Sequence, residues 1–199
     1  MKQIYVLILA VLLFTSLNAF EEGTINPGGT AYLSSIKQSS DSDPVLYLVA
    51  TPQLGYFIFE NVAVDIIPSL ASYSQSGNSS GTSYTNSGTE LGMGLGGRIF
   101  YNGFYGGASF SYNYGFYDSK WGSNRNKDKE SALYLIPKLG MVMPITKNVH
   151  GDLGISYKMG IGKVKTTEND NGTVYKDSYD NEYRNLLFFA GLQIFFSLK

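Results

Sequence analysis

The chain has 199 residues and a formal net charge of −1, so it carries no basic footprint that would indicate nucleic-acid binding. It contains no cysteine, which excludes disulfides, thiol catalysis and thiolate zinc sites. Charged residues make up 16% of the chain, against a usual share of about 25%, while 43% are hydrophobic, which argues against a disordered chain.

The first predicted element is a cleavable signal peptide over residues 1–19. Lys2 supplies a positive start, residues 4–14 form an unbroken apolar run, and a small, polar stretch follows up to Ala19. The run is too short to span a bilayer, and no later segment approaches the ~20 apolar residues of a membrane helix. The alternative is a buried N-terminal helix, but no amphipathic face follows. We therefore expect an exported protein whose mature part is residues 20–199.

Eight segments of alternating character follow, and each predicts a β-strand. In chain order they are Gly29–Lys37, Val45–Phe59, Ala63–Gln75, Gly88–Tyr101, Phe104–Asp118, Ser131–Ile145, Gly151–Lys165 and Arg184–Leu198. Short predicted turns (Glu60–Val62, Asn102–Gly103, Thr146–Val149) alternate with longer polar loops (Gln38–Asp43, Ser76–Ser87, Ser119–Glu130, Thr166–Tyr183). This asymmetry is typical of an up-and-down membrane barrel with short periplasmic turns and longer outer loops.

The two faces of the predicted strands differ in a way that indicates whether lipid or water surrounds the barrel. In Gly151–Lys165, for example, Ile155 and Tyr157 lie on one face, while Asp152 and Lys158 lie on the other. Bulky residues outside and small or polar residues inside suit a narrow membrane barrel, whereas a soluble barrel would have the reverse. The predicted fold class is all-β, an eight-stranded up-and-down antiparallel transmembrane β-barrel.

Prolines interrupt several of these strands. Pro52, Pro68 and Pro137 share a Pro-x-Leu-small pattern. Because proline cannot donate a hydrogen bond to a neighbouring strand and a closed barrel has no edge, we expect local bulges there.

Particular residues resemble a known family. Thr51–Phe57, the turn Phe59–Asn61 and Val62–Val64 resemble a strand pair of the small outer-membrane β-barrel domain family, which includes OmpX-like and OmpA-transmembrane-like barrels. The turn Thr146–Val149 and the aromatic last strand fit the same pattern. The resemblance implies a porin-like architecture in the outer membrane of a Gram-negative bacterium, surrounded by outer-membrane lipid. It indicates architecture rather than activity.

The last strand also resembles the signal read by the barrel-assembly machinery during biogenesis. Gly191, Ile194 and Phe196 match its Gly-x-x-apolar-x-aromatic part. Phe189 stands where that signal has a polar residue, and the chain ends on Lys199 rather than on an aromatic residue. The alternative is a simple apolar strand.

Six charged residues are predicted to face the lumen. They are three acids and three bases: Asp65, Glu90, Arg98, Lys138, Asp152 and Lys158. Buried charges need partners, so we expect them to pair across the narrow interior, with Asp65 as the partner of Arg98. A salt-bridged plug is the favoured interpretation, because an eight-stranded barrel has little interior space. The alternative is a gate or a narrow polar pore.

The sequence indicates little chemistry. The only histidine, His150, falls in a predicted short turn, where we expect it to be solvated, and no cluster has metal-ligand spacing. We expect no catalytic, metal or cofactor site. The favoured function is a structural or surface-interaction barrel, with outer loops available to a surface ligand. The alternatives are a narrow pore or sideways passage for small apolar solutes, and a lipid-modifying enzyme.

Overall fold

The computed structural model describes residues 20–36, 44–79, 82–170 and 173–197. Within them there are ten β-strands, and no helix long and apolar enough to cross a membrane. The strands are β1 Thr24–Ile36, β2 Val45–Phe59, β3 Val62–Ser79, β4 Thr82–Tyr101, β5 Phe104–Trp121, β6 Asn124–Pro144, β7 Val149–Asp170, β8 Thr173–Asp180, β9 Arg184–Ile194 and β10 Phe196–Ser197. The predicted signal peptide and the predicted loop Gln38–Asp43 lie outside the described residues.

The strands form a closed antiparallel ring. Each strand from β1 to β7 pairs with the next, β9 pairs with β7, and β9 and β10 together pair with β1. The ring therefore has eight members, the last made of β9 and β10, while β8 pairs only with the far end of β7. The all-β, antiparallel part of the predicted fold class is confirmed, and the ring is compatible with a β-barrel.

The two ends of the ring differ. At one end, here called the turn end, the strands are joined by short turns. Asn102 and Gly103 both have positive φ (49° and 80°), which a two-residue hairpin turn requires. At the other end, the hairpin end, three strand pairs extend past the ring as long hairpins: β3–β4, β5–β6 and β7–β8.

These hairpins correct three of the predicted loops. Ser76–Ser87, Ser119–Glu130 and Thr166–Tyr183 are mostly strand rather than irregular loop. Each hairpin pairs in continuous register nearly to its tip, as in Trp121 opposite Asn124. Hydrogen bonds to the adjacent strand outweigh the turn-like composition of these segments, since β-propensity depends strongly on context.

The ring is least extensively paired where its first and last members meet. Gly28 and Gly29 pair with Gln193 and Leu192, and Thr24 and Ile25 pair with β10. Among the described residues, β1 beyond Gly29 pairs with β2 alone, whereas most other ring neighbours pair over most of their length. The closure between β1 and β9 therefore relies on the half of the ring nearest the turn end.

The prolines do not produce the expected bulges. Pairing between β2 and β3 stops at Ala50 opposite Leu70 and resumes in the same register at Leu54 opposite Ile66. The missing pairs are that of Pro52 with Pro68 and the one on either side of it. The recorded register shift in this pair lies elsewhere, at Phe57 and Phe59. Because both prolines lack a donor and sit on facing strands, the ladder is interrupted without inserting a residue.

The outer face of the ring is largely apolar, while charged side chains lie buried in its interior. On β4, Leu95 and Ile99 point outward and are 61% and 64% exposed, while Arg98 points inward and is 1% exposed. The most exposed large apolar side chain of the described residues is Phe188 on β9, at 80%. This arrangement is the inverse of that in a soluble protein, where large apolar side chains are mostly inside and charged ones mostly outside.

An aromatic cluster fills the interior at the turn end. Phe20 stacks on Phe195 with ring centroids 4.3 Å apart and also contacts Phe57 and Phe100. His150 lies edge-on to Phe195 at 4.8 Å and is only 4% exposed. The expectation of a solvated His150 was therefore wrong, because β7 begins at Val149 and turns this side chain inward.

Candidate functional site

A polar layer crosses the interior next to the aromatic cluster. Each of the eight ring members contributes one side chain to it. We call this set of side chains the Arg98 layer, and in chain order it consists of Asn26, Gln53, Asp65, Arg98, Tyr105, Lys138, Asp152 and Gln193. Alternating inward-facing positions place these side chains at one depth, although they are far apart in sequence.

Arg98 is the centre of this layer. Its Nε and Nη2 donate to the two carboxylate oxygens of Asp65, both at 2.8 Å. Nη2 also donates to Asn26 Oδ1 at 2.7 Å, and Nη1 donates to Gln193 Oε1 at 2.9 Å. The guanidinium lies 5.0 Å from the centroid of the Phe100 ring. Arg98 and Asp65 are fully buried, and a bidentate pair of this kind is the strongest geometry for a buried charge.

Two amides connect the remaining charges of the layer. Gln53 accepts a hydrogen bond from Lys138 Nζ at 3.1 Å and donates to Asp65 at 3.0 Å. Lys138 Nζ also lies 3.8 Å from Asp65. Gln193 donates to Asp152 at 2.5 Å, while accepting from Arg98.

Asp152 is held by neutral donors. Besides Gln193, it accepts a hydrogen bond from the Tyr105 hydroxyl at 2.8 Å. Among the described residues Asp152 forms no ion pair, so the expectation that all six lumen charges pair with an opposite charge is not met for this residue. The layer holds two carboxylates and two basic groups, and its charges therefore balance.

Glu90 and Lys158 meet in a second group, closer to the hairpin end. Lys158 Nζ donates to Glu90 at 3.4 Å. Asn113 also donates to Glu90 and accepts from the Ser111 hydroxyl at 2.5 Å. The ammonium of Lys158 lies 3.9 Å from the centroid of the Tyr134 ring. The structure thus divides the six predicted lumen charges into four in the Arg98 layer and two here.

On the hairpin-end side of this second group, the interior opens into a cavity of about 620 Å³. Its walls carry tyrosines and carboxylates, supplied by β4 to β8 and by the residues that join β8 to β9. They include Glu90, Tyr117, Glu130, Tyr134, Tyr179, Asp180, Glu182 and Tyr183, and this space is here called the tyrosine cavity. Asn181 donates to the Leu133 carbonyl at 3.1 Å, which holds the joining residues against β6.

Sequence reasoning missed the uncharged members of these groups. Asn26, Gln53 and Gln193 each make hydrogen bonds to a buried charge, and Asn113 donates to the partly buried Glu90. A polar amide on the small or polar face of an alternating strand was the available signal. The predicted lumen set contained only ionisable residues and therefore omitted these amides.

The three residues of the proposed assembly signal lie in the last ring member. Gly191 and Ile194 are in β9, and Phe196 is in β10 with its ring half exposed. A side chain at Gly191 would meet the Gly29 backbone, so glycine permits β1 to approach closely here.

An exposed ion pair lies on the β5–β6 hairpin beyond the ring. Arg125 donates to both carboxylate oxygens of Asp118. These hydrogen bonds hold the pKa of the Asp118 carboxyl below its ordinary value. One residue pair closer to the ring, partial burial and the nearby Glu168 raise the pKa of Asp128.

Within the described residues, no three histidine or carboxylate side chains are grouped so as to hold a metal ion. A comparison with known protein families finds no matching family model, and a comparison with curated proteins finds no match.

Proposed function

We propose that this chain is a small integral outer-membrane protein of a Gram-negative bacterium. Its mature part would be an eight-stranded transmembrane β-barrel resembling the OmpX-like and OmpA-transmembrane-like barrels. The role we propose is structural or one of surface interaction, with the three hairpins presented at the cell surface and the turn end in the periplasm.

One observation carries this proposal: a complete polar layer lies inside a ring whose outer face is apolar. Outward residues such as Leu95 and Phe188 are highly exposed, whereas Arg98 and Asp65 are buried. In water this arrangement would leave a wide apolar surface exposed, while in a bilayer it is favourable. The ring also pairs most described backbone groups within the protein, as lipid requires, and an exception is the meeting of β1 with β9 beyond Gly29.

The Arg98 layer favours a plug over a pore. All eight ring members contribute to it, and the aromatic cluster lies directly next to it on the turn-end side. Two successive layers of buried side chains across the interior support a closed lumen. Arg98 and Lys138 pair with Asp65, and Asp152 accepts hydrogen bonds from Tyr105 and Gln193, so the charges are held by partners inside the ring.

Membrane location is tested by fractionation and N-terminal sequencing. We expect the protein in outer-membrane fractions, with a mature N-terminus at Phe20 and heat-modifiable mobility on gels. Recovery in the cytosol, or an N-terminus at Met1, would contradict the proposal.

The plug is tested by single-channel conductance in planar bilayers. The wild type should show no steady conductance. The double variant Asp65→Ala with Arg98→Ala should also stay closed, because the aromatic cluster still fills the interior at the turn end. Steady conductance by the wild type would favour the narrow pore instead.

A further inference from the structure

The tyrosine cavity contains chemistry that the plug does not use. Its volume, about 620 Å³, is within the range of ~300–1,000 Å³ typical of small-molecule sites. Four of its lining residues are tyrosines (Tyr117, Tyr134, Tyr179 and Tyr183), and four are acids (Glu90, Glu130, Asp180 and Glu182).

One ammonium group, that of Lys158, already lies against three residues that line this cavity. Lys158 Nζ lies 3.9 Å from the centroid of the Tyr134 ring and 5.4 Å from that of Tyr183. Its carboxylate partner is Glu90, at 3.4 Å. Aromatic faces attract cations, and such faces together with a carboxylate form the kind of environment that recognises ammonium ligands.

The other carboxylates of the wall lack a cationic partner. Across the part of the chain that the structure describes, Glu130, Asp180 and Glu182 take part in no ion pair. They are spread around the cavity and do not converge to hold a metal ion. A single small cation could not reach all of them, whereas several ammonium groups along one flexible chain could.

We propose that the tyrosine cavity binds a linear polyamine or a similar organic cation with two or more ammonium groups. One ammonium would lie over the tyrosine rings, as that of Lys158 does, and the others would pair with the free carboxylates. The proposal concerns the folded ring itself. It does not depend on the membrane location or on the plug.

Isothermal titration of the folded, full-length mature protein with spermidine tests this proposal. We expect one saturable binding event. Tyr134→Leu should weaken it about 2- to 30-fold, the range of a cation–π contact, whereas Tyr134→Phe keeps the ring and should bind nearly as wild type. If Tyr134→Leu fails to fold, Tyr179→Leu tests the same point at an exposed position.

Two charge variants separate a defined site from general attraction. Glu130→Gln should weaken binding several-fold. Asp177→Asn removes one charge from the exposed strand β8, outside the cavity lining, and should have little effect. Lys158→Met should tighten binding, because it removes the Lys158 ammonium, which would repel a cationic ligand.

Three results would overturn the proposal. The first is the absence of saturable binding. The second is equal weakening by Glu130→Gln and Asp177→Asn, which would indicate surface charge alone. The third is displacement of spermidine by an equal concentration of Mg²⁺, which would indicate a divalent-ion site.

Discussion

Replacing Asp65 by Ala removes the one carboxylate of the described residues that pairs with the Arg98 guanidinium. Arg98 would keep its hydrogen bonds to Asn26 and Gln193, but it is 1% exposed and could not reach water. The Arg98 layer would change from balanced charge to a net charge of +1. A buried ion left without its partner costs about 3–5 kcal/mol, and we expect Asp65→Ala to lose this much unfolding free energy.

The double variant Asp65→Ala with Arg98→Met should be more stable than the single variant. It removes both charges and leaves Lys138 and Asp152, so the layer is balanced again. Replacing a buried ion pair with apolar side chains is often close to neutral, so the double variant should lie within about 2 kcal/mol of wild type.

Urea unfolding of the protein in lipid vesicles measures both variants, with the fluorescence of the only tryptophan, Trp121, as the probe. Asp118→Ala is the matched control, because it removes a carboxylate that also pairs with an arginine but at an exposed position. It should change the unfolding free energy by less than about 1 kcal/mol. Equal losses for the single and double variants would refute the reasoning that Arg98 and Asp65 act as a balanced pair.

Three further predictions follow from the facing of the strands, the exposed ion pair and the aromatic cluster. Ile155→Lys, on the apolar outer face, should cost about 2–4 kcal/mol of unfolding free energy in vesicles, and equal tolerance of Ser156→Lys would disprove the facing. The lowered pKa of Asp118 implies a stabilisation that is present above its reference value of 3.8 and is lost as the pH falls through the folded pKa. In an NMR titration Arg125→Gln should move that pKa back toward 3.8, and an unchanged midpoint would show that the hydrogen bonds are not its cause. Phe20→Ala should cost about 3 kcal/mol, because it leaves a void in the aromatic cluster, and an unchanged urea midpoint would show that Phe20 is not packed there in solution.

The facing of the strands could be predicted because strand geometry is local. Successive side chains point to opposite sides, so the alternation around Leu95 and Arg98 indicates which residues share a face. The same rule, with the short turns at Asn102 and Gly103, predicts antiparallel neighbours and places Asp65 beside the strand of Arg98. None of this requires knowledge of distant contacts.

Other features depend on which strands become neighbours. The hairpins at the hairpin end have the composition of loops, and only pairing with an adjacent strand makes them β-structure. His150 was predicted to be solvated because its local sequence resembles a turn, and its burial depends on Phe195, 45 residues further along the chain.

The alternation of the strands, their turns and the identity of the lumen-facing charges follow from the amino-acid order, because each depends on residues close together in the chain. The partners of those charges follow from the closed ring. Gln53 and Gln193 join the Arg98 layer because closing the ring brings β1 against β9 and sets all eight members to one depth. Hydrogen-bond partners across a closed ring are set by register and depth, which no local pattern of residues encodes.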